Sequence, residues 1–215
     1  MQIETSGILI NIRPFSERDA VGHIFTKDNG VLVGLLRGAM VGRKNKPLVG
    51  QFGNVTWNAR LDSQLGVFHW ESEKNLAAKL MLDNDLLMIM NAAFALIYTL
   101  IPERESYEHL YLQTLELLDD IVNAEKPYDV YLKWEINLLR ELGYALDLTK
   151  CSGCGKSENL CYLSPKTGRA VCADCGEPYK EKLYKLPLNL VVTKRFVSNI
   201  CEIQGTDIPY ARKIF

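Results

Sequence analysis

Apolar residues alternate with polar or small ones through the first seventy positions and recur at helical spacing after that. Gly7 to Arg13 places Ile8, Ile10 and Ile12 on every second position, the period of a half-buried strand. Ala20–Thr26 and Val31–Leu36 read as a second and third strand. Asp28-Asn29-Gly30 between them is a hairpin signal, because Asn and Gly accept positive φ. Stretches near Gln51–Leu61 and Leu65–Trp70 complete five short strands, which predicts a small closed or sandwiched β domain. Five strands in this space fit an OB-fold β-barrel, whose faces and loops commonly bind oligonucleotides. In the fourth strand Val55, Trp57, Ala59 and Leu61 share one face. Trp57 is therefore expected in the barrel core, with Phe52 and Arg60 on the outside.

From Ser72 the period turns helical. Asp83-Asn84-Asp85 is an N-cap cluster before an apolar helix from Leu86, and Pro102 ends it. Ser106 is a weaker start, since a capping box would want Glu or Gln where His109 stands. Leu110, Leu112, Leu115, Leu117, Leu118 and Ile121 supply the next apolar face. Pro127 opens a third helix with Tyr131, Trp134, Leu138, Leu139 and Leu142 as its buried stripe, and Gly143 stops it. The expected fold is α+β and multidomain: an OB-fold barrel over 1–75, then an α-helical domain over 76–215 that ends in a short helix-like tail.

Composition changes this picture little. At 215 residues and 47% hydrophobic content, the chain fits a soluble globular protein. No basic-then-apolar leader opens it, and the apolar run Leu86–Ile101 is too short for a membrane helix. A cytoplasmic location without a membrane partner is the expectation. The charge distribution says more. Residues 1–80 carry ten Lys/Arg against seven Asp/Glu, 81–150 five against thirteen, and 151–215 ten against six. Between Asp28 and Asp62 there is no acidic residue, while Arg37, Arg43, Lys44, Lys46 and Arg60 all fall there. A positive, adaptable surface of this kind suits the backbone of single-stranded nucleic acid. A solvated basic loop with no partner fits the same composition.

Two Cys-x-x-Cys pairs, Cys151/Cys154 and Cys172/Cys175, face each other across seventeen residues. That spacing is a zinc pattern, and four sulfur ligands with no place for water describe a structural site. A four-cysteine zinc ribbon inserted over 148–178 is therefore predicted, with a hairpin turning at Ser164-Pro-Lys-Thr-Gly168. Such a module buries little surface, and the Zn²⁺ would supply most of its stability. Cys161 and Cys201 are read as small apolar residues. His23, His69 and His109 form no metal or catalytic pattern, and the glycines at 30, 34 and 38 lead to no P-loop. A metal-dependent nuclease is disfavoured because the metal site is all cysteine and no paired-carboxylate cluster with a nearby His stands out.

The order of parts resembles the bacterial RecO recombination mediator proteins. The resemblance rests on Pro14-Phe-Ser-Glu-Arg-Asp19 after the first strand, Asn29-Gly30, and Arg37-Gly38-Ala39 with Arg43, Lys44 and Lys46. It rests further on Leu142-Gly-Tyr-Ala-Leu-Asp-Leu148 before Cys151 and Ser164-Pro-Lys-Thr-Gly-Arg-Ala170 before Cys172, the most distinctive pair. It covers roughly residues 1–190 and implies a protein without bond-breaking chemistry, and it narrows the expected cytoplasmic location to nucleoid-associated. Such a protein binds single- and double-stranded DNA, anneals complementary strands, pairs with RecR and the tail of the single-strand-binding protein, and helps load RecA. Lys182, Lys185 and Arg195 are candidates to receive that acidic tail. The competing expectation is a zinc-ribbon adaptor that binds only proteins.

Overall fold

The computed structural model describes residues 1–41, 46–61, 64–144 and 146–215. Five strands, β1 (Gln2–Pro14), β2 (Ala20–Thr26), β3 (Gly30–Leu36), β4 (Gln51–Asn58) and β5 (Gly66–Asn75), close into a barrel in the order β1-β2-β3-β5-β4. β1 is long enough to serve two neighbours. Gln2–Ile8 pairs with β4, and Gly7–Pro14 pairs with β2 across an irregularity at Leu9/Asn11. The parallel pairing of Gly34–Leu36 with Gly66–Phe68 closes the circuit; the other pairs are antiparallel. Burial alternates along β4, but Gly7–Ile10 of β1 and Gly22–Thr26 of β2 are buried on both faces, so Leu9 as well as the expected Ile8 and Ile10 is covered. Leu9, Ile24, Leu32, Val55, Trp57 and Phe68 fill the inside, and the Trp57 indole donates to the Val33 carbonyl at 2.8 Å. At the β2–β3 turn Gly30 takes φ 58°, and a Cβ there would run into the Glu105 carbonyl. Only glycine meets both demands.

Two strand ends differ from the expectation. β4 stops at Asn58, and Leu61 is 61% exposed instead of continuing the Trp57 face. β5 runs on to Asn75, past Ser72 where a helical period was expected. Its last residues are polar and exposed, and they stay extended because their backbone pairs with β4, Gln51 opposite Asn75.

After a single 3-10 turn at Leu80–Leu82, the Asp83 carboxylate accepts from the Asp85 and Leu86 amides and caps α1 (Asn84–Leu100). α2 (Glu108–Asp120) starts without a side-chain cap. The Ser106 hydroxyl donates instead to the Lys27 carbonyl at 3.2 Å. Its buried stripe is Leu110, Tyr111, Thr114, Leu117 and Leu118, followed by Ile121, while Leu112 points to solvent. The segment between α1 and α2 docks on the β2–β3 hairpin. The Arg104 amide donates to Val31, and the Arg104 guanidinium stands 4.8 Å over the Trp57 ring. α3 (Pro127–Glu141) buries Tyr131, Trp134, Leu138 and Leu139, and Gly143 follows it at φ 84°.

The chain divides into two compact units, Met1–Tyr131 with Pro209–Arg212, and Leu132–Ile208 with Lys213–Phe215. Barrel, α1 and α2 thus belong to one unit, and α3 crosses the division. The second unit holds a three-stranded sheet, β7-β6-β8, made of β6 (Leu160–Leu163), β7 (Ala170–Cys172) and β8 (Tyr184–Lys185), the last lying beyond residue 178. A short α4 (Ala173–Gly176) follows β7. α5 (Leu190–Ile203), capped by Asn189, makes the tail a full helix of fourteen residues, and α6 (Tyr210–Lys213) closes the chain. Cys201 is buried, as a small apolar residue should be. Cys161 is exposed, because the irregular pairing at Leu160/Tyr162 turns it outward, so it is not packed as expected. Among the described residues, no helix is long and apolar enough to cross a membrane.

Candidate metal centre and nucleic-acid interface

The sequence around the cysteines builds two tight turns. In the first, the Gly155 amide donates to the Cys151 carbonyl at 2.9 Å, and Gly155 takes φ 77°, where a side chain would be strained. The second pair spans the end of β7 and α4, so Cys172 is held by the sheet and Cys175 by a helical turn. The two turns are stitched together. Ser152 donates to the Ala170 carbonyl, and Ala173 to the Asn159 carbonyl, each at 2.9 Å. As a result the Sγ atoms of Cys151, Cys154, Cys172 and Cys175 all lie within 4.8 Å of one another. Cys154 and Cys172 are 3.7 Å apart. The edge of a tetrahedron with metal–sulfur bonds of ~2.3 Å is ~3.8 Å. Four thiols at this spacing can hold a metal ion.

The electrostatics fit the same use. Backbone amides, those of Cys172 and Cys154 foremost, lower the Cys151 thiol to about 6. Hydrogen bonds with the Cys172, Cys154 and Cys151 sulfurs raise Cys175 to about 12. The cluster favours one anionic sulfur to which its neighbours donate, and a cation in the middle would take the place of the shared protons. Cys151 and Cys172 are buried and Cys154 is exposed, so an ion has a way in.

The basic candidates fall in the barrel. Arg37 is exposed one residue past β3, Lys46 is exposed in the β3–β4 connection, and Arg60 is exposed just past β4. Arg43 and Lys44 lie outside the described residues. The β1–β2 loop, which carries Arg18 between Glu17 and Asp19, is bonded to the segment after β3. The Gly38 amide donates to the Asp19 carboxylate at 2.8 Å and the Met40 amide to the Arg18 carbonyl at 3.0 Å. Ser16 Oγ accepts from the Asp19 amide at 3.0 Å and keeps that loop folded. Arg18 and the 63%-exposed Phe15 are thereby tied to the segment that starts at Arg37. A cation and a bare aromatic on one braced loop were the available signal, in Pro14-Phe-Ser-Glu-Arg-Asp19. Of the candidates for an acidic tail, Arg195 stands 5.1 Å over the Tyr184 ring and Lys185 is exposed on β8.

Comparison with known proteins covers both halves of the chain. The family model described as Recombination protein O C terminal matches residues 81–203. Proteins named DNA repair protein RecO match nearly the whole chain. The one from Jannaschia sp. is 37% identical over 88% of this chain and 77% of its own length. The one from Roseobacter denitrificans is 38% identical over 87% and 78%. The one from Cereibacter sphaeroides strain ATCC 17025 is 32% identical over 96% and 93%. A match that takes in the barrel, the helices and the cysteine turns in one alignment leaves a single assignment, and the chain belongs to the RecO family.

Proposed function

We propose that this chain is a non-enzymatic recombination mediator of DNA repair. It binds single- and double-stranded DNA, anneals complementary strands, and acts with RecR and the tail of the single-strand-binding protein to help load RecA. The observation that carries this reading is the exposure of Arg37, Lys46 and Arg60 in an acid-free stretch of the barrel. Strand order and the parallel β3–β5 closure support an OB-fold, an architecture well suited to oligonucleotides. Residues 1–75 are read as the DNA-binding part, with Arg37, Arg43, Lys44, Lys46 and Arg60 as its contacts. Annealing needs no reacting group. It needs cations that offset the repulsion of two phosphate chains while base edges stay free. The acidic helical part is scaffold and partner surface, and the protein works in the cytoplasm at the nucleoid.

The four cysteines are read as a structural zinc ribbon. All-thiolate ligation favours Zn²⁺ over hard cations, and it leaves no open position for chemistry. The ion's contribution would be to hold the first cysteine turn against β7, with Cys151 and Cys172 as the buried ligands and Cys154 and Cys175 as the outer ones.

The test is annealing of two complementary oligonucleotides coated with the cognate single-strand-binding protein. Acceleration that fades as salt rises is expected. Arg37→Gln with Lys46→Gln should slow it and flatten the salt dependence of strand binding by ~0.7 per lost phosphate contact. No acceleration on coated or bare strands would sink the mediator reading in favour of a protein adaptor.

A further inference from the structure

The four clustered cysteines differ in what they offer to solvent. Cys151 and Cys172 are buried, Cys175 is half-buried and Cys154 is exposed. The Cys151 sulfur is also engaged. It accepts from the Gly153 amide at 3.3 Å and from the amides of Cys154 and Cys172. A sulfur that serves three donors and lies below the surface is a poor target for a solute. Cys154 is the accessible member, and its sulfur lies 3.7 Å from that of Cys172. The two belong to different turns: Cys154 ends the first pair, and Cys172 sits at the end of β7, paired with Leu160 of β6. A disulfide holds its sulfurs ~2.0 Å apart. Closing this pair therefore takes a shift of less than ~2 Å, within the reach of side-chain rotation.

We propose that Cys154 and Cys172 are a site of reversible oxidation, where peroxide makes a disulfide that expels the metal and keeps the first cysteine turn tied to β7. The proposal rests on the metal-site reading above and adds a covalent modification to it. The Cys154 thiolate attacks one oxygen of hydrogen peroxide; an S–O bond forms, the O–O bond breaks and hydroxide leaves. The Cys172 thiolate then attacks the Cys154 sulfur; the S–S bond forms, the S–O bond breaks and a second hydroxide leaves. Two thiolates are oxidised by two electrons in all, one peroxide is reduced, and two protons from solvent turn both hydroxides into water. The thiolate is the form that ligates a metal, so only Cys151 and Cys175 remain to hold an ion. Which pair closes also determines what happens to the fold. A bond inside either Cys-x-x-Cys pair would leave the first turn attached to β7 by hydrogen bonds alone. A bond between Cys154 and Cys172 replaces the link that the ion made, and the small buried cluster of Cys151, Val171 and Cys172 stays assembled without metal. A dithiol reductant reopens the bond, and the site can load again.

The experiment uses the full-length protein loaded with Zn²⁺, its metal content measured first, and treats it with hydrogen peroxide at neutral pH. Released Zn²⁺ is followed with a chromogenic chelator. Free thiols are then blocked, and the unreduced protein is mapped by mass spectrometry. About one equivalent of metal should leave as a bond between Cys154 and Cys172 appears, and dithiothreitol with added Zn²⁺ should restore the loaded form. Cys161→Ser, at an exposed cysteine outside the cluster, should behave as wild type. Hydrogen exchange gives a second readout. The oxidised, metal-free protein should keep more protection at the β6 and β7 amides than reduced protein stripped by a chelator. A bond found only within Cys151/Cys154 or Cys172/Cys175, or one made through Cys161, would overturn the proposal. So would loaded protein that keeps its metal and its four thiols under peroxide that fully oxidises glutathione. Reduced protein that takes up no Zn²⁺ would remove the metal reading instead, and the disulfide map of that sample would still decide which cysteines pair.

Discussion

His23 lies on β2 with its ring 4.7 Å from, and edge-on to, the Tyr98 ring of α1. The Arg13 guanidinium stands 5.6 Å over that same Tyr98. Burial first, and the Arg13 charge second, lower His23 to about 4 from an ordinary 6.5. The folded protein thus binds this proton less readily than the unfolded chain. The stabilising effect of a neutral His23 is complete above pH 6.5 and is lost as pH falls toward 4. Urea unfolding at pH 7 and pH 4.5 should show wild type losing about 2 kcal/mol more than His23→Gln over that interval. Equal losses in both proteins would mean that His23 is not held neutral by the fold. No sequence signal marked this residue, because its burial is tertiary: its ring packs on Tyr98, seventy-five positions away. Trp57 was the opposite case. Strand alternation placed it inside, and it is fully buried. Leu112 fails for a simple reason: it is one of several leucines, but it lies two positions from Leu110, off the side of a helix that 110, 114, 117, 118 and 121 define.

Elements were readable where their ends are determined locally and unreadable where they are determined by contact. Asp83 is a local case. Its carboxylate accepts from two amides of its own first turn, at 2.8 and 3.2 Å. Asp83→Ala should therefore cost about 1 kcal/mol, the usual worth of an N-cap, measured as a lower urea midpoint with unchanged slope. A cost near zero would show that Asn84 or Asp85 takes over the cap. Ser106 is the contrasting case. It looks like a helix start in sequence, yet its hydroxyl serves the Lys27 carbonyl in the β2–β3 turn. The same turn holds Lys27, 3.0 Å from Glu108 at the start of α2. The far half of β5 was missed for a related reason. Glu71 to Asn75 has no apolar face, and only pairing with β4 keeps it extended.

At the scale of the whole chain, the two cysteine pairs were the strongest signal in the sequence, and the structure gathers them into one cluster. Spacing sufficed because two Cys-x-x-Cys turns are nearly complete binding units before any tertiary contact forms. The basic barrel surface was only half visible. Arg37 and Lys46 stood out in an acid-free stretch, but the Asp19 carboxylate is brought beside Arg37 by a hydrogen bond from Gly38, nineteen residues on. Metal removal tests how far the cysteine cluster organises its surroundings. Among the described residues, the hydrophobic cluster next to it is small: Cys151, Val171 and Cys172 are buried, with Leu160, Tyr162, Cys175 and Leu183 packed on them, and Leu163 and Ala170 are buried farther along the same strands. Two of the cluster's three buried members are candidate ligands, so a bound ion would act as a cross-link, and its loss would leave little apolar surface to replace it. Treatment with a zinc chelator, or Cys172→Ser, should release about one equivalent of metal. It should also abolish hydrogen-exchange protection of the β6 and β7 amides. The β1–β4 amides, whose barrel core contains no cysteine, serve as the internal reference and should keep theirs. Protection of β6 and β7 that survives complete metal loss would mean that hydrogen bonds such as Ser152 to Ala170 hold the turns by themselves. The ion would then be a passenger on a preformed site instead of the element that folds it.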